Sequence, residues 1–344
     1  MTTLILHFSV PSREILLEPS SEWTRRIHRA VQRVVSSSGD KDEGERLVFL
    51  FSLSSSLLAP PTALKLSFDE LARFCQWSYA QAWGEAVRLD HLLLDVDVLL
   101  LPGLEGIENI VETEKERGES SGRDIVLIAE EEVLEKLSSL PIKTESISST
   151  GLPQNPSSTQ DQHQPPTFPQ HPVVALGGTF DHLHPGHKIL LATACAVSTR
   201  KLIIGITSDS MLHSKTEPTF LESLERRKER VRSFCAGFAG ALRPGEKALE
   251  LNVVTLEDVA GPAGSEADLQ ALVLTEETLA GGKAIAEIRE KKGLGTLQEY
   301  VIGVLGAKGE TDLGGTGKDA KELAAAKVGS TAIRKWLAAK RRGE

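Results

Sequence analysis

Residues 173–187 read Val173-Val174-Ala175-Leu176-Gly177-Gly178-Thr179-Phe180-Asp181-His182-Leu183-His184-Pro185-Gly186-His187. Four apolar residues form a strand-like run. Two glycines then allow a sharp turn and a close backbone approach to a ligand. Pro185 suits the opening of a helix, and a helical pattern runs from Gly186 to Ser198. The first amides of such a helix are unpaired and carry the positive end of its dipole, which makes an anion site. His184 and His187 lie three apart at that opening, so both imidazoles can face one anion. Thr179 adds a hydroxyl from the turn.

Downstream the chain alternates strands with helices. Leu202–Ile206, Leu249–Thr255, Leu272–Leu274 and Leu297–Leu305 read as strands, and Leu221–Phe238 reads as a helix with a charged face. The alternation predicts a Rossmann-like, doubly wound, parallel five-stranded sheet. Ligands of such sheets sit beyond the carboxyl ends of the strands, at the switch in strand order. The residues that follow each strand are therefore the candidates. After the second strand these are Ser208, Asp209 and His213-Ser214-Lys215. Arg226, Arg227 and Arg230 on the charged helix read as mostly solvated.

Upstream, residues 141–171 are rich in Pro, Ser, Thr and Gln and nearly free of large apolar residues. Such a segment buries too little surface to offset its ordering entropy, so it reads as a disordered linker. It separates a smaller α/β domain over residues 1–140 from the domain over 172–344. In the first domain Thr3–Phe8, Leu47–Leu53, Val96–Leu101 and Ile125–Ala129 read as strands and Ser67–Arg88 as a helix. It shows no glycine-rich phosphate loop and no catalytic constellation, so its role stays open between partner docking and a degenerate relative of the second domain.

Composition excludes several classes. Of 344 residues 40% are apolar and 25% charged, which suits globular cores. The net charge of −9 argues against a nucleic-acid partner, since backbone binding needs surplus Lys and Arg. No apolar run approaches 18 residues, so no membrane partner is expected. Cys75, Cys195 and Cys235 are far apart and odd in number, which points to a reducing, cytoplasmic setting. The basic stretch Trp23–Val35 reads as a surface helix, with a mitochondrial address as the other reading.

The run Gly178-Thr179-Phe180-Asp181 followed by His184-Pro185-Gly186-His187 resembles the HxGH signature of the nucleotidyltransferase superfamily. Gly261-Pro262-Ala263-Gly264-Ser265, with Thr275-Glu276-Glu277-Thr278 and Gly281-Gly282, resembles its phosphopantetheine adenylyltransferase branch, as found in eukaryotic coenzyme A synthase and in archaea. Lys327-Val328-Gly329-Ser330-Thr331-Ala332-Ile333-Arg334 resembles the second signature of that branch, with Gly329 where the family has Ser.

The resemblance implies AMP transfer from ATP, with Mg²⁺, to 4′-phosphopantetheine. His184, His187, Lys215 and Thr179 would be catalytic. Gly177, Gly178, Phe180, Asp181, Gly186, Thr275, Glu276, Glu277, Ser330, Thr331 and Arg334 would bind the nucleotide, and no residue would hold a protein-bound metal. Gly314-Gly315-Thr316-Gly317-Lys318 mimics a Walker loop, but Asp312 and Asp319 break the pattern. The resemblance is therefore to a monofunctional, fungal-type version, which implies a separate dephospho-coenzyme A kinase as a possible partner.

Other readings stay open at this point. His182, His184 and His187 could ligate zinc, the histidines could be structural, and the acids Glu276 and Glu277 could simply open a helix. A cytidylyltransferase, or a non-catalytic scaffold keeping the fold, would also carry these motifs.

Overall fold

Leu-, Val- and Ile-rich runs buried on both faces need cover on both faces, which is the condition of a parallel sheet between helices. The computed structural model describes residues 2–37, 45–59, 63–119, 124–147, 168–303 and 329–343. It divides into two units, Met1–Phe168 with Gly240–Glu246 and Pro169–Ala239 with Lys247–Glu344.

The first unit holds β1 (Thr2–Val10), α1 (Arg13–Leu17), α2 (Ser21–Ser37), β2 (Arg46–Leu53), a short antiparallel pair β3 (Leu58–Ala59) and β4 (Ala63–Leu64), and α3 (Phe68–Arg88). It continues with β5 (Asp95–Pro102), α4 (Ile107–Glu119), β6 (Asp124–Glu130), α5 (Glu131–Lys136) and β7 (Lys143–Ile147). Its parallel sheet runs β5-β2-β1-β6-β7. Every residue of β2 is buried, as expected of a strand with helices on both sides. Charged Arg46 is admitted because Asp95, Asp97 and Glu114 receive its guanidinium at 2.7, 2.6 and 2.6 Å. The stretch Trp23–Val35 lies in α2, whose apolar face (Trp23, Ile27, Ala30, Val31, Val34) is buried. Ser67 and Glu70 close a capping box that starts α3.

The second unit holds β8 (His171–Gly178), α6 (Pro185–Val197), β9 (Ser198–Thr207), α7 (Leu224–Leu242), β10 (Glu250–Leu256), β11 (Ala271–Thr275), α8 (Leu279–Lys291), β12 (Gln298–Ile302) and α9 (Ser330–Arg342). The sheet is parallel throughout, in the order β10-β9-β8-β11-β12. This is the Rossmann-like arrangement expected, and the strand order switches between β8 and β11. Val173, Ala175, Ile203, Leu272, Leu274 and Ile285 pack together as part of the core. No described helix is long and apolar enough to cross a membrane.

The first unit is an α/β domain, as expected, with a five-stranded parallel sheet of its own. One expectation needs correction: this unit runs past residue 140, since β7 occupies Lys143–Ile147, inside the stretch expected to be a disordered linker. β7 is mostly exposed and has a single neighbour, β6, so an edge strand of this kind needs no apolar run. At its far end Phe168 is buried and His171 opens β8, while residues 148–167 lie outside the described residues. So do the Walker-like decoy, Lys327 and Val328.

Candidate active site

The site begins where β8 ends. Thr207 at the end of β9 donates its hydroxyl to Gly178 O at 3.1 Å, which ties the two central strands at their carboxyl ends. The chain then turns through Phe180 and His182, both in the left-handed region with φ of 52° and 43°. For residues with large side chains this backbone carries strain, which the surroundings must hold in place. Phe180 is held by burial, its ring 5.1 Å from the His187 ring. His182 is held twice: its N–H donates to Glu222 Oε2 at 2.8 Å, and its Nε2 meets Phe220 O at 2.6 Å.

α6 opens with His184 as its N-cap residue and Pro185 in its first turn. His184 makes no side-chain cap, so the leading amides remain available to an anion. The His184 and His187 rings stack with centroids 3.8 Å apart and planes 25° apart. His184 is buried and His187 half-buried. Their Nδ1 atoms are buried with no hydrogen-bond partner. Burial, with a smaller contribution from His182, pushes the His184 imidazole down to about 3. Burial, then the neighbouring His184 and His182 rings, holds His187 well below the ordinary value. Both rings are therefore neutral near pH 7. A Cβ at Gly186 would stand 3.2 Å from the His184 ring, so glycine gives that ring its seat over the first turn.

Other predicted residues gather at the same edge of the sheet. Thr179 is half-buried directly after β8. Lys215 is exposed after β9, with its backbone N–H on Leu212 O at 3.0 Å. Thr275 ends β11, and its N–H is capped by Thr278 Oγ1 at 2.9 Å. Glu276 and Glu277 are exposed in the turn before α8, where acids also suit a helix opening. At the opening of α9, Gly329 takes the N-cap position in extended backbone, so Ser330 and Thr331 are the first helical residues. The Ser330 hydroxyl donates to Asp181 O at 2.7 Å, which brings the two signatures together.

Three of the residues expected to bind the nucleotide have side chains engaged within the protein. The Phe180 ring is interior. Asp181 is wholly buried, with one carboxylate oxygen on the Glu222 N–H and the other on Arg334. Arg334 is 1% exposed and faces Asp181 rather than an open ligand position. Each is a large or charged group whose type suits a ligand, but its position gives it a protein partner first.

Sequence reasoning also missed Arg227. Far from solvated, it is completely buried. Its Nη1 donates to Thr179 O at 2.8 Å and Thr207 O at 2.9 Å, its Nε donates to Glu222 O at 3.1 Å, and its Nη2 pairs with Asp209. The charged run around it hides this residue, because only the strand ends facing it reveal its partners. Among the described residues no group of three or more His, Cys, Asp or Glu is placed to hold a metal ion.

A glycine turn, a helix opening aimed outward and a stacked, neutral histidine pair at a sheet's switch point define a class, the nucleotidyltransferases. A family described as cytidylyltransferase-like matches residues 175–334. The chain is 34% identical over 154 residues to the phosphopantetheine adenylyltransferase of Methanosarcina acetivorans, covering 41% of this chain and 92% of that one. It is 33% identical over 129 residues to the protein of the same name from Methanopyrus kandleri, covering 38% and 76%. The chain belongs to the phosphopantetheine adenylyltransferase family. Against the phosphopantetheine adenylyltransferase of Saccharomyces cerevisiae the identity is 38% over 138 residues, 40% of this chain and 43% of the other. An uncharacterized protein of Schizosaccharomyces pombe is 39% identical over 166 residues, 48% of each. The chain thus spans less than half the length of these two yeast relatives.

Proposed function

We propose that this chain is a pantetheine-phosphate adenylyltransferase, which converts MgATP and 4′-phosphopantetheine into dephospho-coenzyme A and pyrophosphate. The observation that carries this reading is the stacked His184–His187 pair over the opening of α6, on the edge of the sheet that also presents Thr179 and Lys215. Archaeal relatives bearing that name, three quarters or more of whose length is matched, support the choice of acceptor.

An oxygen of the acceptor phosphate attacks the α-phosphorus of ATP. The new P–O bond forms as the bond from the α-phosphorus to the α,β-bridging oxygen breaks, and pyrophosphate leaves with that electron pair. A phosphate monoester has a second pKa of about 6 and is already mostly dianionic at neutral pH, so no general base is needed. Catalysis is then positioning plus stabilisation of growing charge. Lys215 and Thr179 serve the α-phosphate and the acceptor. His184, His187, Ser330 and Thr331 serve the β- and γ-phosphates together with the amides of α6, which the glycines Gly177, Gly178 and Gly186 leave approachable. Thr275, Glu276 and Glu277 border the adenosine.

Neutral imidazoles suit this task. With the proton on Nε2, the buried Nδ1 is left with a lone pair rather than an unsatisfied N–H, and Nε2–H becomes the donor. Magnesium enters as part of the nucleotide substrate. We place the reaction in the cytoplasm, in keeping with the buried thiols of Cys75, Cys195 and Cys235, with a dephospho-coenzyme A kinase as the consumer of the product.

Replacing His187 by Ala removes one charge-stabilising donor. Turnover is expected to fall roughly 10²–10³-fold, the scale of losing one oriented donor in an acyl- or phosphoryl-transfer site. Pyrophosphate release measures this, and circular dichroism checks the fold. Near-normal turnover in a folded variant would refute the assigned role.

A further inference from the structure

The pair Asp181–Arg334 is more than a local ion pair. Asp181 Oδ1 accepts the Glu222 N–H at 2.9 Å, Oδ2 receives Arg334 Nη1, and the backbone O accepts the Ser330 hydroxyl at 2.7 Å. Arg334 Nε donates to Thr216 O at 2.8 Å, and Nη2 donates to Thr331 Oγ1 at 3.2 Å. One buried contact therefore touches four segments: the turn after β8, the approach to α7, the loop after β9 beside Lys215, and the opening of α9. A buried ion pair is weak as a source of stability, but its directed bonds fix geometry. A guanidinium is suited to this because its planar fork sends donors in several set directions, whereas an ammonium is a point charge.

We propose that Arg334 is a positioning residue that acts through Asp181 and Thr216, holding Lys215 and the opening of α9 in register with the histidine pair without touching the nucleotide. The proposal rests on the adenylyltransferase reading for its kinetic consequences, and on geometry alone for the coupling of the two residues.

The test is a double-mutant cycle in the full chain with Asp181→Asn, Arg334→Gln and both together. It is read by kcat, by KM for MgATP with 4′-phosphopantetheine as acceptor, and by the midpoint of urea unfolding. Each single substitution leaves the other group buried without its partner. Each is expected to lower kcat about tenfold or more while KM for ATP moves less than about threefold, and the double variant is expected to be no worse than the poorer single.

Losses that add independently, or an Arg334→Gln variant that keeps kcat and raises KM for ATP tenfold, would overturn the proposal in favour of a direct phosphate contact. Arg334→Lys provides a variant that keeps the charge. Its kcat is expected to fall as in Arg334→Gln, and wild-type kcat would count against the proposal. An inactive wild-type chain would refute the adenylyltransferase reading instead, and the unfolding midpoints would still decide the coupling: additive destabilisation overturns it, and non-additive destabilisation supports it.

Discussion

His184 and His187 are held neutral by burial, and that has a measurable consequence for pH. Burial also pulls His7, whose Nε2 lies 2.8 Å from Ser52 Oγ, down to about 4. For each of these groups the folded-state pKa lies below the unfolded value near 6.5, so protons bind more tightly to the unfolded chain. Their contribution is present in full above pH 6.5 and is lost as pH falls toward the folded values. At pH 5 the loss from His7 and His184 is about 2 kcal/mol each by linkage. Urea unfolding at pH 7.5 and 5.0 should show it, and His184→Gln should flatten the dependence; an unchanged slope in that variant would contradict the burial argument. The positions of the candidate residues His184, His187, Thr179 and Lys215 were legible because their spacing after apolar runs fixes where they fall. The partners of Asp181, Arg334 and Arg227 were not. A charged side chain does not announce in sequence whether a ligand, water or a distant carbonyl will face it.

At the level of elements, α7 shows how a charged face can conceal a structural cation. Arg226 and Arg230 reach Glu222 at 3.0 and 2.8 Å on the outer side, while Arg227 points inward to three backbone carbonyls at the ends of β8, β9 and the turn before α7. Removing it leaves those oxygens buried without donors. Arg227→Met is expected to destabilise the protein by about 3 kcal/mol or more in chemical denaturation, and Arg227→Lys should not restore it. A loss under about 1 kcal/mol would mean that water replaces the guanidinium freely. The strands themselves read well from sequence wherever they are central. Leu202–Ile206 falls in β9 and Leu47–Leu53 in β2, because strands buried on both faces must be continuously apolar. β7 did not read, since Lys143-Thr144-Glu145-Ser146-Ile147 is polar on a sheet edge and its composition matched the linker beside it.

Across the whole molecule, two parallel sheets share one strand order: third, second, first, fourth, fifth in chain sequence. Only the second carries a double-glycine turn and a histidine pair after its central strand. In the first, β1 runs into Pro11-Ser12-Arg13, and Arg13 is taken up by Glu70. The same topology thus appears with and without a glycine turn and histidine pair after its central strand, which is why function here is argued from that turn and not from the fold. The central claim concerns one reaction of the whole chain. Incubation of the purified protein with magnesium, ATP and 4′-phosphopantetheine, followed by mass-spectrometric identification of products, should yield dephospho-coenzyme A and pyrophosphate in equal amounts, with CTP a poor substitute for ATP. Absence of dephospho-coenzyme A, or preferential use of CTP, would contradict the account.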